Sequence, residues 1–164
     1  MIYTIIILIL LFCVAILSKK FLYHKISFKE TIELIELPVI VFRQNEHKLN
    51  LLLDTGATYS VINEKALSYL EYDITDKYTI MFGVDGVPRK TPVINLSLVL
   101  NDTVYVEQFQ VADISAAMDD LKRDSGVTIH GIIGNTFMRK YKYVLDFDEM
   151  TAYSKKINFK RRSR

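Results

Sequence analysis

The pattern of hydrophobic and polar positions divides the chain into three stretches. Residues 2–17 are uncharged and largely apolar, and residues 19–33 mix lysines with apolar side chains. From residue 34 the pattern changes to short runs rich in β-branched and aromatic residues, separated by turn-forming residues. Such runs are typical of β-strands joined by turns. The pattern therefore predicts one apolar helix followed by a small all-β domain.

Within the predicted domain, the runs indicate individual strands and short helices. Strands are predicted at residues 37–42, 49–53, 78–82, 93–100, 104–111 and 143–147. Asn63 is a predicted N-cap for a short helix that runs to Leu70. Further helical stretches are predicted at residues 115–122 and 135–140, and a glycine-punctuated turn at residues 83–88.

The apolar stretch is long enough to be a membrane anchor. Residues 1–18 make a helix of about 27 Å, close to the roughly 30 Å of a hydrocarbon core. A cleaved secretory signal is the main alternative, but no Lys or Arg precedes Lys19. A lipoprotein signal is disfavoured because the bulky Phe12 precedes Cys13, where a small residue is expected. The sequence therefore predicts one transmembrane helix.

The distribution of charge predicts an orientation for this anchor. Four lysines follow it, at positions 19, 20, 25 and 29, and positive charge favours the cytoplasmic side of a membrane. The globular domain is therefore predicted to be cytoplasmic. The predicted divisions are an anchor at 1–18, a juxtamembrane linker at 19–33, a folded domain at 34–154 and a basic tail at 155–164.

The net charge of +2 conceals a strong segregation. Residues 30–154 contain all 19 acidic residues against 11 Lys and Arg, which gives a net charge of −8. The basic tail is more typical of a solvated terminus than of a nucleic-acid site, so no nucleic-acid partner is predicted. Attraction of the tail to anionic lipid and a merely solvated tail both stay open.

One carboxylate stands out as a candidate for chemistry. Asp54 follows the apolar residues 51–53 and begins the turn Asp54-Thr55-Gly56-Ala57. A charge at the end of a buried strand is costly without partners, so it favours a functional role over an ordinary turn. Two further features support that role: a β pattern resumes at residues 60–62, and Ile132-Ile133-Gly134 supplies an apolar pair ending in glycine.

These features together resemble the retropepsin-like aspartic proteases, the single-lobe relatives of pepsin. The resemblance covers about residues 36–154 and does not account for residues 69–79. It rests on Leu53-Asp54-Thr55-Gly56-Ala57-Thr58 with Ser60 and Ile62, on Gly131-Ile132-Ile133-Gly134 with Phe137, and on Val144-Leu145-Asp146-Phe147. The resemblance implies an all-β, retropepsin-like acid protease lobe with one or two short helices, preceded by the transmembrane helix.

An aspartic endopeptidase without a cofactor is the activity that this resemblance implies. Such hydrolysis needs one carboxylate to activate water and one carboxylic acid to polarise the scissile carbonyl. Because the chain offers one good candidate, the second must come from a two-fold mate in a homodimer. By resemblance, Asp54, Thr55 and Gly56 are catalytic, with Thr55 bonding across the dimer. The implied contacts to a peptide or protein substrate are Ala57 and the flap residues Gly83, Val84, Asp85 and Gly86.

Several alternatives were weighed against this interpretation. Asp124-Ser125-Gly126 resembles a second catalytic turn, but no apolar strand precedes it. The single cysteine and three separated histidines predict no metal site, and no glycine-rich phosphate loop occurs. A non-catalytic, membrane-tethered module that binds peptides or dimerises is the remaining alternative, since a fold can be kept without its chemistry.

Overall fold

The computed structural model describes residues 2–82 and 86–155. Its helices are α1 (Ile2–Leu22), α2 (Lys29–Ile35), α3 (Ser115–Ser125) and α4 (Asn135–Tyr141), with a 3-10 helix at Glu64–Ser68. Its strands are β1 (Tyr23–Ser27), β2 (Val39–Gln44), β3 (His47–Leu53), β4 (Ser60–Asn63), β5 (Asp73–Phe82), β6 (Pro88–Leu100), β7 (Thr103–Ala112), β8 (Gly131–Ile133), β9 (Val144–Asp146) and β10 (Thr151–Lys155). The domain is mostly β, as predicted, and its described part carries more short helices than the one or two expected.

Seven strands form the main sheet, in the order β2-β3-β8-β4-β7-β6-β5. β2 also pairs with β6, so the sheet curls back on itself. Most neighbours are antiparallel, but β3 runs parallel to β8 and β4 runs parallel to β7. The parallel pairing of β3 with β8 places Leu53 beside Ile133, so the chain leaves both strands at the same edge. This edge carries the candidate site.

The main core explains why β3 and α4 keep fixed positions. Leu49, Leu51 and Leu53 alternate along β3 and are all buried, as expected for a strand with one face on the core. Phe137 on α4 is 1% exposed, and its ring meets that of Phe42 edge to face at 5.9 Å. Because both elements pack into one core, residues at the end of β3 and at the start of α4 are held close together.

The N-terminal and C-terminal parts of the domain meet in a second, three-stranded sheet with the order β1-β10-β9. β1 lies within the predicted juxtamembrane linker, yet it pairs with β10 from Tyr23 to Ser27. Ile26 and Phe28 are buried, and the Phe28 N–H donates to the Met150 carbonyl at 3.1 Å. The packed unit therefore begins at Tyr23 and not at residue 34, because these apolar side chains are needed to cover the core.

The apolar N-terminal stretch is helical, as predicted, and forms α1. Among the residues that the structure describes, no helix is both long enough and apolar enough to cross a membrane. The predicted transmembrane helix is therefore not supported.

The connection between the strands predicted at 93–100 and 104–111 and the predicted N-cap at Asn63 agree with the structure, whereas most of the predicted turn at 83–88 lies outside the described residues. Asn101 and Asp102 join β6 to β7 with φ of 47° and 60°, the backbone that a two-residue hairpin loop requires. The Asn63 side chain accepts a hydrogen bond from the Lys65 N–H, which confirms it as an N-cap. The alternative motif Asp124-Ser125-Gly126 lies at the end of α3, where Gly126 at φ 74° serves as the C-cap. It is therefore not a turn that follows a strand.

Candidate active site

Asp54 lies immediately after β3, at the edge where β3 and β8 end together. Its backbone N–H donates to the Ile133 carbonyl at 3.0 Å, and the Leu53 N–H donates to the Pro38 carbonyl at 2.8 Å. β3 is therefore hydrogen-bonded on both sides up to Asp54. The Asp54 side chain is half-buried, while Thr55 and Gly56 are exposed. A buried framework thus presents an accessible carboxylate.

The turn after Asp54 orients that carboxylate. The Gly56 N–H donates to Asp54 Oδ1 at 2.7 Å. A Cβ atom at position 56 would lie 3.1 Å from the same oxygen, so a side chain there would push against the carboxylate. Glycine at position 56 therefore serves both the hydrogen bond and the open approach to the carboxylate.

The start of α4 holds the remainder of the Asp54 loop, which we define as residues 54–59. The Asn135 N–H donates to the Ala57 carbonyl at 2.8 Å, and the Thr136 N–H donates to the Thr58 carbonyl at 3.0 Å. The Asn135 side-chain amide also donates to the Thr55 carbonyl at 2.5 Å. Three carbonyls of the loop are therefore bonded from α4, which fixes the loop from one side.

Two glycines allow close backbone packing at and beside this loop. Gly134 packs against the last loop residue, and Gly131 packs against β4. A Cβ atom on Gly134 would lie 2.5 Å from the Tyr59 carbonyl oxygen, and one on Gly131 would lie 2.4 Å from that of Val61. Distances below 3 Å to backbone atoms leave no room for a side chain. The Gly134 N–H also donates to the buried Ser60 hydroxyl at 3.2 Å. Gly134 therefore fixes the end of the loop and the start of β4 by close packing and by this hydrogen bond.

A comparison with protein families shows which family the chain belongs to. Residues 38–137, more than half of the chain, match the family model described as aspartyl protease. The chain belongs to the aspartyl protease family. The matched residues contain both the Asp54 loop and the first residues of α4, so they include the site built above.

Solved structures with a similar fold are retropepsin-like. A retropepsin-like aspartic protease from Rickettsia conorii has a TM-score of 0.50 and 16% identity, over 81% of this chain and 91% of that one. EIAV protease bound to an inhibitor has a TM-score of 0.44 and 23% identity, over 63% and 86% of the two chains. The retroviral protease-like domain of a Leishmania major protein has a TM-score of 0.46 and 16% identity, over 68% and 82%. A comparison with curated proteins finds no match. The likeness to the Rickettsia structure shows a retropepsin-like fold.

The residues predicted to bind substrate are only partly placed. Ala57 is half-buried in the Asp54 loop. Gly83, Val84 and Asp85 lie outside the described residues. Gly86 is described, with φ of 71° and open space around its Cα, as a turn residue requires. β5 and β6 pair up to Phe82 and Pro88, so Gly86 lies in the segment that connects these two antiparallel strands.

A buried acid lies beside α4 and was not singled out from the sequence. Glu107 on β7 is 3% exposed, accepts a hydrogen bond from the Thr136 hydroxyl at 3.3 Å and pairs with Lys140 at 3.2 Å. Burial raises the pKa of the Glu107 carboxyl, and the neighbouring Lys140 opposes that rise. The sequence held a signal for its burial. Glu107 lies two residues after Tyr105 and two before Phe109 on one strand, and side chains at that spacing share one face of a sheet.

His130 has a structural role at the start of β8. Its Nδ1 accepts a hydrogen bond from the Asn50 N–H at 3.0 Å, so the other ring nitrogen carries the proton in the neutral form. Burial lowers the pKa of the imidazole, which favours that neutral form.

No cluster of three or more His, Cys, Asp or Glu suited to a metal ion occurs in residues 2–82 and 86–155.

The Asp54 site does not coincide with the roomiest cavity found in the structure. A cavity of about 390 Å³ lies between the β2–β3 turn and the start of β5, lined by residues such as Gln44, Glu71 and Ser97. The Gln44 side chain there is fully engaged with the backbone of Glu71 and Ser97. This cavity has none of the strand-end geometry that presents Asp54, so we place the chemistry at the Asp54 loop.

Proposed function

We propose that this chain is an aspartic endopeptidase that acts as a homodimer and hydrolyses peptide bonds with a water held between two Asp54 carboxylates. The observation that carries the proposal is the Asp54 carboxylate itself. It is accessible, it is aimed by the Gly56 N–H at 2.7 Å, and its loop is bonded to both β8 and α4. Preorganised groups of this kind lower the reorganisation needed in the transition state.

The need for a second chain follows from the chemistry. One carboxylate must be ionised to take a proton from the attacking water, and the other must be protonated to donate to the carbonyl oxygen of the substrate. No hydrogen bond joins Asp54 to another acid among the described residues. The exposed Thr55 and Gly56 leave the loop open to a copy of itself. A two-fold axis beside this loop would bring two Asp54 side chains together and let them titrate as one unit.

The proposed reaction uses the two Asp54 carboxylates in turn, one as the base and the other as the acid. The ionised Asp54 removes a proton from water, whose oxygen then bonds to the scissile carbonyl carbon. The protonated Asp54 of the partner chain donates to the carbonyl oxygen, and a tetrahedral intermediate forms. The first Asp54 then gives its proton to the amide nitrogen, while the partner's Asp54 takes a proton back from a hydroxyl of the intermediate. The carbon–nitrogen bond breaks, and the pair again shares one proton. The β5–β6 hairpin would close over an extended peptide during these steps.

We further propose that α1 attaches the protein to a membrane, with the domain on the cytoplasmic side. The described apolar side chains of α1 support attachment, since Leu8 and Phe12 are 65% and 68% exposed. The lysines that follow the apolar stretch support the orientation. Fractionation tests this: the protein should stay with membranes in alkaline carbonate and leave them in detergent. Recovery of the full chain in the aqueous fraction would refute the attachment.

A cleavage assay with Asp54→Asn tests the catalytic proposal. Full-length protein in detergent is incubated with a diverse peptide library between pH 4 and 7, and chemical crosslinking reports the dimer in the same sample. Cleavage should fall by at least about a thousandfold in Asp54→Asn, since an amide cannot act as the base, while the thermal midpoint and the dimer persist. Absence of cleavage by wild-type protein that crosslinks as a dimer would refute the protease and favour the peptide-binding module.

A further inference from the structure

A small cleft lies beside the end of the Asp54 loop. Its volume is about 290 Å³, and it is lined by Tyr59 of the loop together with Lys77, Tyr78 and Thr79 of β5, Val93 of β6, and Gln108 and Gln110 of β7. This volume is slightly below the usual range for sites that take a whole small-molecule ligand. The cleft therefore suits one side chain of a bound peptide.

One polar group in the cleft, the Thr79 hydroxyl, is buried and has no partner within the described part of the chain. Gln110, which is 7% exposed, also lines the cleft. Buried polar groups are nearly always bonded, because an unmet donor or acceptor keeps its full cost of desolvation. The Thr79 hydroxyl is such a group in the lining of the cleft, which indicates that a polar ligand supplies its missing bond.

The charge in the cleft selects the kind of ligand. Lys77 is its only charged lining residue, and it forms no ion pair with the residues that the structure describes. Lys77 lies within a register shift between β5 and β6, from Ile74 to Tyr78, and an irregularity of this kind redirects side chains. An ammonium group, an amide N–H and a hydroxyl together can donate to one carboxylate. The lining is therefore complementary to an acidic side chain.

We propose that this cleft binds an aspartate or glutamate side chain of the peptide substrate, with Lys77 as the specificity-determining residue. The inference rests on the proposed protease function and names a class of substrate for it. Tyr59 lies five residues after Asp54, so their Cα atoms are at most about 18 Å apart. An extended peptide rises about 3.3 Å per residue, which places the acidic side chain within about five residues of the cleaved bond.

Paired peptide libraries test the proposal on full-length protein in detergent. One library carries Glu at a single position, up to five residues from the cleaved bond, and the other carries the isosteric Gln. At pH 6, wild-type protein should cleave the preferred Glu peptides about three- to tenfold more efficiently, the range expected for a partly exposed charged hydrogen bond. Lys77→Gln should remove this preference, Lys77→Arg should keep most of it, and Lys48→Gln, an equal charge change elsewhere, should leave it intact.

The outcomes separate this inference from the function on which it rests. Cleavage that depends on Asp54 but treats Glu and Gln peptides alike refutes the acidic subsite and leaves the protease standing. If no peptide is cleaved, the affinities of fluorescent Glu and Gln peptides are compared by anisotropy. A Glu preference that Lys77→Gln abolishes then supports the cleft without the protease, and equal affinities refute the cleft.

Discussion

Asn135 offers a sharp test of whether α4 holds the Asp54 loop for catalysis. Its side-chain amide donates to the Thr55 carbonyl, and its backbone N–H donates separately to the Ala57 carbonyl. Asn135→Ala removes the first bond and keeps the second. One such hydrogen bond contributes about 0.5–1.5 kcal/mol to stability. We therefore expect the free energy of unfolding to fall by about 1 kcal/mol.

The expected effect on catalysis is larger than the effect on stability. Thr55 directly follows Asp54, the carboxylate proposed to be catalytic, and a small displacement of a positioned group costs much more in rate than in folding free energy. In the proposed dimer both chains carry the change, so we expect kcat to fall at least about tenfold while KM changes little. Asn135→Asp should be worse, because it places a carboxylate oxygen against the Thr55 carbonyl. Urea denaturation and steady-state kinetics on one peptide substrate measure the two effects.

A matched control separates positioning from general stability. The Asn50 side chain makes the same type of bond, from its amide to the Thr128 carbonyl at 2.8 Å, away from the Asp54 loop. Asn50→Ala should lower stability by a similar amount and leave kcat within about twofold of wild type. The reasoning fails if Asn135→Ala keeps full kcat, or if both variants lose activity equally.

Two further predictions concern close packing and a buried charge. Gly134→Ala places a Cβ 2.5 Å from the Tyr59 carbonyl oxygen and should lower the free energy of unfolding by at least about 1–3 kcal/mol, seen as a lower thermal midpoint. Gly56→Ala places a Cβ 3.1 Å from Asp54 Oδ1, and this variant should fold but lose activity. A Gly134→Ala variant as stable as wild type would contradict the packing. Because burial raises the pKa of Glu107, the folded state binds its proton more tightly than the unfolded chain, so this carboxyl makes stability fall as pH rises from about 4.5 towards the raised pKa. Urea denaturation between pH 4 and 8 should show that fall in wild type and a smaller one in Glu107→Gln; identical slopes would refute it.

Local patterns in the sequence were sufficient for much of the fold. Alternating apolar residues and turn signals located the hairpins of β2–β3 and β6–β7, and the residue types around Asn63 predicted its cap. They failed for β1, where Ile26 and Phe28 lie among lysines and suggest a membrane surface. The pairing of β1 with β10 joins residues more than a hundred positions apart, so no local pattern records it.

The sequence by itself determined that an apolar strand ends in Asp54 and that Gly56 follows in a tight turn, because both features depend on neighbouring residues. Only the tertiary structure decided what holds that turn. The parallel pairing of β3 with β8 and the bonds from α4 join residues about 80 positions apart. Contacts of that kind come from burial of a shared core and from satisfying loop carbonyls, and both are properties of the packed chain.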